Sequence, residues 1–207
     1  MTITETDIQT YQSSVSDFLP QINADGCYPS AIKNILDELA NRNDIPEMKL
    51  SRSDINDLCN YREGMYTQEE IIPGALSHEI ADFGYQAAEA SAPKMDYSEL
   101  DEILSDEDSS LPIVELDPTY FEQVENYRTQ GRQEASHTVI VFKINSEKVL
   151  YYDPYEKFFE KSSGIDKAPY EQSKTDFYEL WSGDYEERWT FWLERREQSL
   201  LDEFREQ

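Results

Sequence analysis

Two short runs rich in β-branched residues, joined by a tight turn, constrain the fold of this chain more than any other feature. Residues 136–144 (SHTVIVFKI) and 148–153 (KVLYYD) flank the turn 145–147 (NSE). Such runs predict strands, and a connection this short requires the two strands to pair antiparallel. Residues 111–116 (LPIVEL) add another apolar run of strand length. The second half of the chain is therefore predicted to hold an antiparallel sheet.

The first half of the chain shows helical spacing of its apolar residues instead. We predict helices over 29–42, over a short segment capped by Ser51 or Ser53, from the capping box 67–70 (TQEE) to Gly84, and over 96–105. A further helix is predicted over 175–181, whereas 189–193 (WTFWL) fits either a last strand or the start of a C-terminal helix. Helices followed by strands predict an α+β fold, in which N-terminal helices pack on an antiparallel sheet.

The length of 207 residues suits one domain with short extensions. We predict that residues 1–17 form an N-terminal arm or short helix, because they are polar with scattered apolar positions. The domain itself is predicted to span 18–193, and residues 194–207 are predicted to form a charged C-terminal helix. The oligomeric state is not predicted from the sequence.

The charge balance excludes several classes of partner. The chain carries 44 Asp and Glu against 18 Lys and Arg, a formal net charge of −26. Binding to nucleic acid or to an anionic membrane surface is therefore not expected. No apolar run reaches the ~18–20 residues of a spanning helix, and the N-terminus shows no secretory pattern. These features predict a cytoplasmic protein.

The acidic residues are spread along the whole chain, which is typical of a charged surface and not of an acidic tail. At 38% hydrophobic and 13% aromatic residues, the chain is too rich in core residues to be disordered. A dispersed acidic excess resembles the surfaces of proteins from halophiles with a high-salt cytoplasm. At ~1 M salt the Debye length is about 3 Å, so the self-repulsion is screened. An ordinary acidic cytosolic protein is the alternative.

Reactive side chains are few. The chain has two cysteines, Cys27 and Cys59, and two histidines, His78 and His137. No metal-ligand motif or phosphate-binding glycine loop is present, so we predict neither a metal nor a cofactor. Cys59 falls on a buried helical stripe and is predicted to be a core residue. His78 lies beside an acidic residue on a helix and is predicted to be solvated.

Cys27 lies in a different setting, directly before a helix and after the loop 23–26 (NADG). A thiol at a helix N-terminus is stabilised as the nucleophilic thiolate. His137 begins one strand of the predicted hairpin and Asp153 ends the next, so the two are predicted to be neighbours. This pattern predicts a Cys–His–Asp arrangement of nucleophile, base and orienting carboxylate. Gln21, six residues before Cys27, could donate to an oxyanion from its amide.

Each of these residues also has a structural explanation that is commoner when it is taken alone. A cysteine at a helix start is usually inert, His137 could be a satisfied strand-end histidine, and Asp153-Pro154 could be a simple turn. Their order and the elements that carry them together favour a catalytic site.

These residues resemble the papain-like peptidases that process bacteriocins at double-glycine leaders, and their stand-alone relatives. The similar segments are Gln21-x5-Cys27, 25–30 (DGCYPS), 111–116 (LPIVEL), 136–155 (SHTVIVFKINSEKVLYYDPY) and 176–181 (DFYELW), within residues 18–193. The resemblance implies a papain-like fold and hydrolysis of a peptide or related amide through an acyl-enzyme. It implies Cys27 as nucleophile, His137 as general base, Asp153 as orienting group and Gln21 as oxyanion donor.

The chain departs from this family in one site residue. Tyr28 stands where the family usually has glycine after the cysteine, and we expect it in the substrate groove, where its phenol could narrow the groove or change the substrate. The chain contains no Gly-Gly pair and no transporter segment, which argues against self-processing. The sequence predicts a stand-alone soluble cysteine peptidase acting on a peptide or protein substrate. The alternatives are an inactive papain-like module that binds a peptide, and an acidic protein that sequesters a basic partner.

Overall fold

The strands of a computed structural model form one six-stranded antiparallel sheet within the described part of the chain, which comprises residues 5–21, 26–62, 72–120, 136–155, 170–183 and 187–196. They are β1 (Tyr85–Ala90), β2 (Ile113–Leu116), β3 (His137–Ile144), β4 (Lys148–Tyr152), β5 (Tyr170–Ser173) and β6 (Thr190–Arg195). Their order across the sheet is β1-β6-β2-β3-β4-β5, and every neighbouring pair is antiparallel.

Each described α-helix contributes buried residues to a hydrophobic core. They are α1 (Glu5–Ser14), α2 (Cys27–Arg42), α3 (Arg52–Leu58), α4 (Ile72–Ile80), α5 (Tyr97–Ser105) and α6 (Lys174–Ser182). Two 3₁₀ turns, Pro46–Met48 and Ala81–Phe83, complete the described helical segments. The predicted α+β class, with N-terminal helices packed on an antiparallel sheet, is confirmed.

The sheet separates two hydrophobic cores, because successive residues of a strand point to opposite faces. On β3, Ile140 packs with α1 to α4, whereas Val139 and Val141 pack with α5 and α6. The longest helix, α2, buries Ile32, Ile35 and further residues of one stripe against the first core. Burying each such side chain contributes about 1.5–3 kcal/mol. Helix α2 is therefore held firmly across the sheet, with its first residue at one sheet end.

The hairpin of β3 and β4 brings the predicted site residues to that same end. In the register, Leu116 at the end of β2 lies opposite His137 at the start of β3. Ile140 lies opposite Tyr152 at the end of β4, and Asp153 follows directly. A bulge between Val141 and Lys143 shifts the register farther along the hairpin, away from His137.

Most predicted helices and strands are present, with shifted boundaries. Helix α2 begins two residues earlier than the predicted 29–42, at Cys27 itself. Ser51, and not Ser53, caps α3, and Asp96 caps α5, each in a capping box. The open segment 189–193 is mostly strand, within β6. The capping box 67–70 lies outside the described residues.

Strands β1 and β5 were not predicted from the sequence. β1 (YQAAEA) and β5 (YEQS) contain residues of weak strand propensity, and their structure follows from pairing with β6 and β4. The predicted domain limits stay predictions, and the described parts of the two chain ends are as follows. Tyr11 of α1 is buried in the first core, and β6 continues to Arg195. The first two residues of the C-terminal helix predicted over 194–207 belong to β6 instead. Residues 197–207 lie outside the described part.

We predict that salt stabilises this fold, because the net charge of −26 reflects a large excess of acidic side chains that repel one another. The unfolding temperature should rise by about 5 °C or more between 0.1 M and 2 M KCl, since the Debye length falls from about 10 Å to below 3 Å. Calorimetric scans measure this shift. Sucrose at matched osmolality is the control, because it does not screen charge. A flat response to KCl, or an equal rise in sucrose, would contradict the prediction.

Candidate active site

Cys27 is the first residue of α2, and Gly26 is the N-cap. The first turn, Cys-Tyr-Pro-Ser, contains no carboxylate, and no side chain caps Gly26 among the described residues. The backbone N–H groups and the positive end of the helix dipole therefore act on the half-buried Cys27 thiol without a competing side-chain anion. This setting favours the thiolate. Residues 23–25 of the predicted loop 23–26 lie outside the described residues.

His137 and Asp153 form a buried pair at the same sheet end. The His137 Nε2 atom lies 2.7 Å from Asp153 Oδ1, and the two side chains are 2% and 0% exposed. The backbone N–H of Tyr155 donates to the same carboxylate oxygen over 2.8 Å. Because Nε2 is bound to Asp153, Nδ1 is the ring nitrogen left to face Cys27. The orientation of the imidazole thus follows from the Asp153 carboxylate.

The Cys27 thiol completes this chain of contacts. It hydrogen bonds with His137, and its Sγ atom lies 3.5 Å from Thr138 Oγ1. Burial opposes the thiolate, but the hydrogen bond and the charge of His137, together with Thr138, outweigh it and lower the pKa of Cys27. Thr138 was not predicted as a site residue. The available signal was that Thr138 directly follows His137 on β3. Because neighbouring residues of a strand face opposite sides of the sheet, Thr138 faces the side opposite to His137.

The pKa of His137 is raised, so that the ring is protonated at neutral pH. Burial by itself disfavours the imidazolium, but the Asp153 charge and hydrogen bond, followed by the Cys27 contact, raise the pKa of His137 to about 10. A lowered thiol pKa and a raised imidazole pKa both favour the Cys27 thiolate–His137 imidazolium pair. The pair exists between the two pKa values and is lost on either side.

Aromatic residues surround the His137–Asp153 pair. The Tyr120 hydroxyl donates to Asp153 Oδ2 over 2.7 Å, and the Tyr120 ring stacks on His137 with a centroid distance of 5.4 Å and an interplanar angle of 13°. The Tyr155 ring meets His137 edge-on at 6.1 Å. Sequence reasoning missed Tyr120, because nothing in its local pattern distinguishes it from the other tyrosines.

Gln21 is fully buried, and its backbone lies beside the Asp153 turn. The Gln21 N–H donates to the Pro154 carbonyl over 2.8 Å. The chain that leads into α2 is thereby tied to the turn that carries Asp153. This places the Gln21 backbone at the site, while the role of its amide as an oxyanion donor stays a prediction.

Tyr28 does not occupy the position expected of a groove residue. Its side chain is 2% exposed, and its ring packs edge-to-face on Trp189 at 5.4 Å and on Phe191 at 6.0 Å. The ring thus belongs to the core between α2 and β6. It supports the base of the site from inside and does not line an open surface.

The remaining cysteine and histidine have the structural settings predicted for them. Cys59 is 1% exposed in the first core. The His78 side chain is 89% exposed, next to Glu79.

A cavity of about 270 Å³ lies at the same sheet end, next to His137. Ser136 and Glu115 line it on the side of the site, and Glu115 pairs in register with Thr138. Burial, aided by the nearby charge of Glu187, raises the pKa of Glu115. Arg188 is the basic residue among the described residues that line the cavity. Its guanidinium donates to the Met95 carbonyl. The described lining also contains Leu116, Asp117, Pro118, Leu180, Trp181, Ser182, Gly183 and Trp189.

The described residues contain neither a metal-binding cluster nor a membrane-spanning helix. No group of three or more His, Cys, Asp and Glu side chains is placed to hold a metal ion there. None of the described helices has the length and apolar character needed to cross a membrane.

We predict that Cys27 reacts with iodoacetamide as a thiolate at pH values below the usual range of a free thiol, because His137 carries the balancing charge. In a Cys59→Ala background, His137→Ala should lower the labelling rate at pH 6 by about tenfold or more. Intact-mass spectrometry measures the rate across pH. The matched control is His78→Ala, which alters an exposed histidine and should leave the profile unchanged. Equal, thiol-like reactivity of Cys27 and Cys59 in the folded parent would contradict the ion pair.

Comparison with known proteins gives a likeness of structure and none of sequence. No family model matches the chain, and no curated protein has a significant match. Among 11 matching solved chains is the peptidase domain of Streptococcus ComA, a bifunctional ABC transporter involved in a quorum-sensing pathway. It is 14% identical, with a TM-score of 0.49, over 86% of this chain and 97% of that domain.

Proposed function

We propose that this chain is a cysteine peptidase or amide hydrolase that acts through an acyl-enzyme on Cys27. The observation that carries the proposal is the continuous series of contacts from the half-buried Cys27 thiol through His137 to the buried Asp153 carboxylate. Such a series supplies a nucleophile, a base and a group that orients the base, which is the typical arrangement around an activated thiol nucleophile.

The proposed reaction uses the ion pair in two steps. The Cys27 thiolate attacks the carbonyl carbon of the scissile amide, and the His137 imidazolium gives its Nδ1 proton to the departing amine. Water then adds to the thioester carbonyl, the neutral imidazole takes a proton from that water, and Cys27 leaves as the thiolate. Asp153 keeps Nε2 protonated and the ring oriented throughout both steps.

We assign oxyanion binding to the Cys27 backbone N–H and the Gln21 side-chain amide. Helix α2 presents its first N–H groups at the point where Cys27 begins, and the Gln21 backbone is bound to the adjoining Asp-Pro turn. Donors fixed in place before the reaction stabilise the developing charge without reorganisation.

The substrate is proposed to be a peptide or protein segment, met in a high-salt cytoplasm. The sequence contains no Gly-Gly pair. Cleavage of this chain at such a pair is therefore not proposed. An inactive peptide-binding module remains the competing function. The departure from the family pattern at Tyr28 is one support for this module, and the buried Tyr28 ring weakens that support.

We predict a covalent adduct between Cys27 and peptides that end in an electrophilic carbonyl or nitrile. The adduct should form in 2 M KCl, be lost in Cys27→Ala and persist in the matched variant Cys59→Ala. The electrophilic peptides should vary the neighbouring residue among Lys, Ala and Glu, because Glu115, Asp117 and Glu187 line the adjacent cavity against one guanidinium. Intact-mass spectrometry detects the adduct. Cleaved proteins are identified by incubating a proteome with the wild type or with Cys27→Ala and comparing the two digests. Tight peptide binding with neither adduct nor cleavage would favour the inactive module.

We predict that Gln21→Ala lowers kcat by about 10²–10³-fold with little change in KM, because an oxyanion donor acts on the transition state. Steady-state kinetics on a substrate found by the proteome digest measures the effect. Gln86→Ala is the control, since that amide donates to Glu194 on the far edge of the sheet. An equal loss in both variants, or a change confined to KM, would remove Gln21 from the oxyanion site.

A further inference from the structure

We propose that Tyr120 is a positioning residue of this site, whose hydroxyl fixes Asp153 and whose ring fixes the imidazole plane of His137. The inference rests on the proposed chemistry of Cys27, but its test measures the thiol directly and needs no turnover. Nothing in the family motif or in the local sequence assigns Tyr120 a role. Its place in the three-dimensional contacts is the basis of the proposal.

The first contact concerns the second oxygen of the Asp153 carboxylate. Oδ1 receives His137 Nε2 and the Tyr155 N–H, whereas Oδ2 receives the Tyr120 hydroxyl at 2.7 Å. The terminal torsion of an aspartate has a broad energy profile, so one oxygen alone does not fix the carboxylate plane. The Tyr120 hydroxyl supplies the second point. It thereby sets the direction in which Oδ1 faces the imidazole.

The second contact concerns the face of the imidazole. The Tyr120 ring lies parallel to the His137 ring, at 5.4 Å between centroids and 13° between planes. A tyrosine face attracts a cation through the quadrupole of its ring, so this stacking favours the imidazolium. Tyr155 meets the same imidazole edge-on at 6.1 Å. The His137 ring is therefore confined on one face and at one edge, and its Nδ1 atom stays directed at Cys27.

Tyr120 is itself held by a turn that follows β2. Its N–H donates to the Asp117 carbonyl over 2.9 Å, and Asp117 Oδ1 accepts from the N–H and the hydroxyl of Thr119. The Asp117 N–H donates to the Leu180 carbonyl of α6 over 2.8 Å. These bonds connect Tyr120 to the β2 strand and to α6. Tyr120 is thus held by two elements outside the β3–β4 hairpin. The two side chains that it orients, His137 and Asp153, belong to that hairpin and the turn after it.

The Tyr120 hydroxyl remains a donor over the whole working range of pH. Burial, reinforced by the negative charge of Asp153 and by Tyr151, raises the pKa of Tyr120 well above its usual value. The Tyr151 hydroxyl lies 3.4 Å from the Tyr120 oxygen and donates to it. Among the described residues, the titratable groups that face His137 include Cys27 from α2, Asp153 and Tyr155 from the segment after β4, and Tyr120 from the turn after β2.

The test compares Tyr120→Phe, Tyr120→Leu and Tyr97→Phe in a Cys59→Ala background. The phenylalanine variant keeps the ring and removes the hydroxyl, whereas the leucine variant removes both. Tyr97→Phe is the matched control, because the Tyr97 hydroxyl donates to the Lys174 carbonyl over 2.6 Å away from the site. The readout is the rate of Cys27 alkylation by iodoacetamide between pH 4 and pH 10, with near-ultraviolet circular dichroism to verify folding.

We expect Tyr120→Phe to raise the apparent thiol pKa of Cys27 by about 0.5–1 unit, which lowers the alkylation rate by about 3–10-fold at pH values below that pKa. Tyr120→Leu should lower it further, because the stacked ring is also lost. Tyr97→Phe should stay within twofold of the parent. Superimposable profiles for Tyr120→Phe and the parent, or an equal shift in Tyr97→Phe, would overturn the proposal. If Tyr120→Leu does not fold, the Tyr120→Phe comparison decides alone.

A substrate assay separates this proposal from the proposed peptidase function. If the protein cleaves peptides, Tyr120→Phe should lower kcat several-fold and leave KM unchanged, since Tyr120 acts through Asp153 and His137. If no cleavage or probe adduct occurs but the alkylation profile still shifts, the peptidase proposal fails and the positioning role stands. If cleavage occurs and neither the profile nor kcat moves in Tyr120→Phe, the positioning role fails and the peptidase proposal stands.

Discussion

The site depends on one buried charge, the carboxylate of Asp153. This side chain is fully buried, and an unpaired buried carboxylate costs several kcal/mol of folding free energy. Donors from three segments offset that cost, namely His137 of β3, Tyr120 of the turn after β2 and the Tyr155 N–H. Each hydrogen bond to a charged acceptor contributes about 1.5–3 kcal/mol. The stability of this sheet end and the orientation of the imidazole therefore have the same origin.

A thiolate in a chain of net charge −26 requires local compensation. The long-range field of the acidic surface opposes any new negative charge, although salt screens it within a few ångströms. The contacts at Cys27 act at shorter range, through the His137 ring, the Thr138 hydroxyl and the start of α2. Short-range partners are hardly screened by salt, whereas surface repulsion is. High salt consequently removes the opposing term and leaves the favourable one.

The sequence was informative where a residue's role follows from its neighbours along the chain. The two runs rich in β-branched residues in 136–153, joined by a short turn, predicted the hairpin, and the hairpin by itself brings His137 beside Asp153. The helical stripe after Cys27 likewise predicted α2. Contacts between distant segments could not be predicted in this way. Tyr120 meets Asp153 33 residues later, and strand β1 (YQAAEA) owes its conformation to β6, more than a hundred residues away.

Tyr28 illustrates how a departure from a motif can be absorbed by packing. Glycine at this position leaves the first turn of the helix bare, whereas a tyrosine must place a large ring on one side or the other. Here the ring turns into the core, where it packs edge-to-face on Trp189 and Phe191. Each aromatic pair of this geometry contributes about 0.5–1.5 kcal/mol beyond its buried area. Tyr28 thus anchors the first turn of α2 to β6, and the Cys27 thiol keeps its contacts with His137 and Thr138. A tyrosine in place of glycine therefore stabilises the start of the helix and does not block the site.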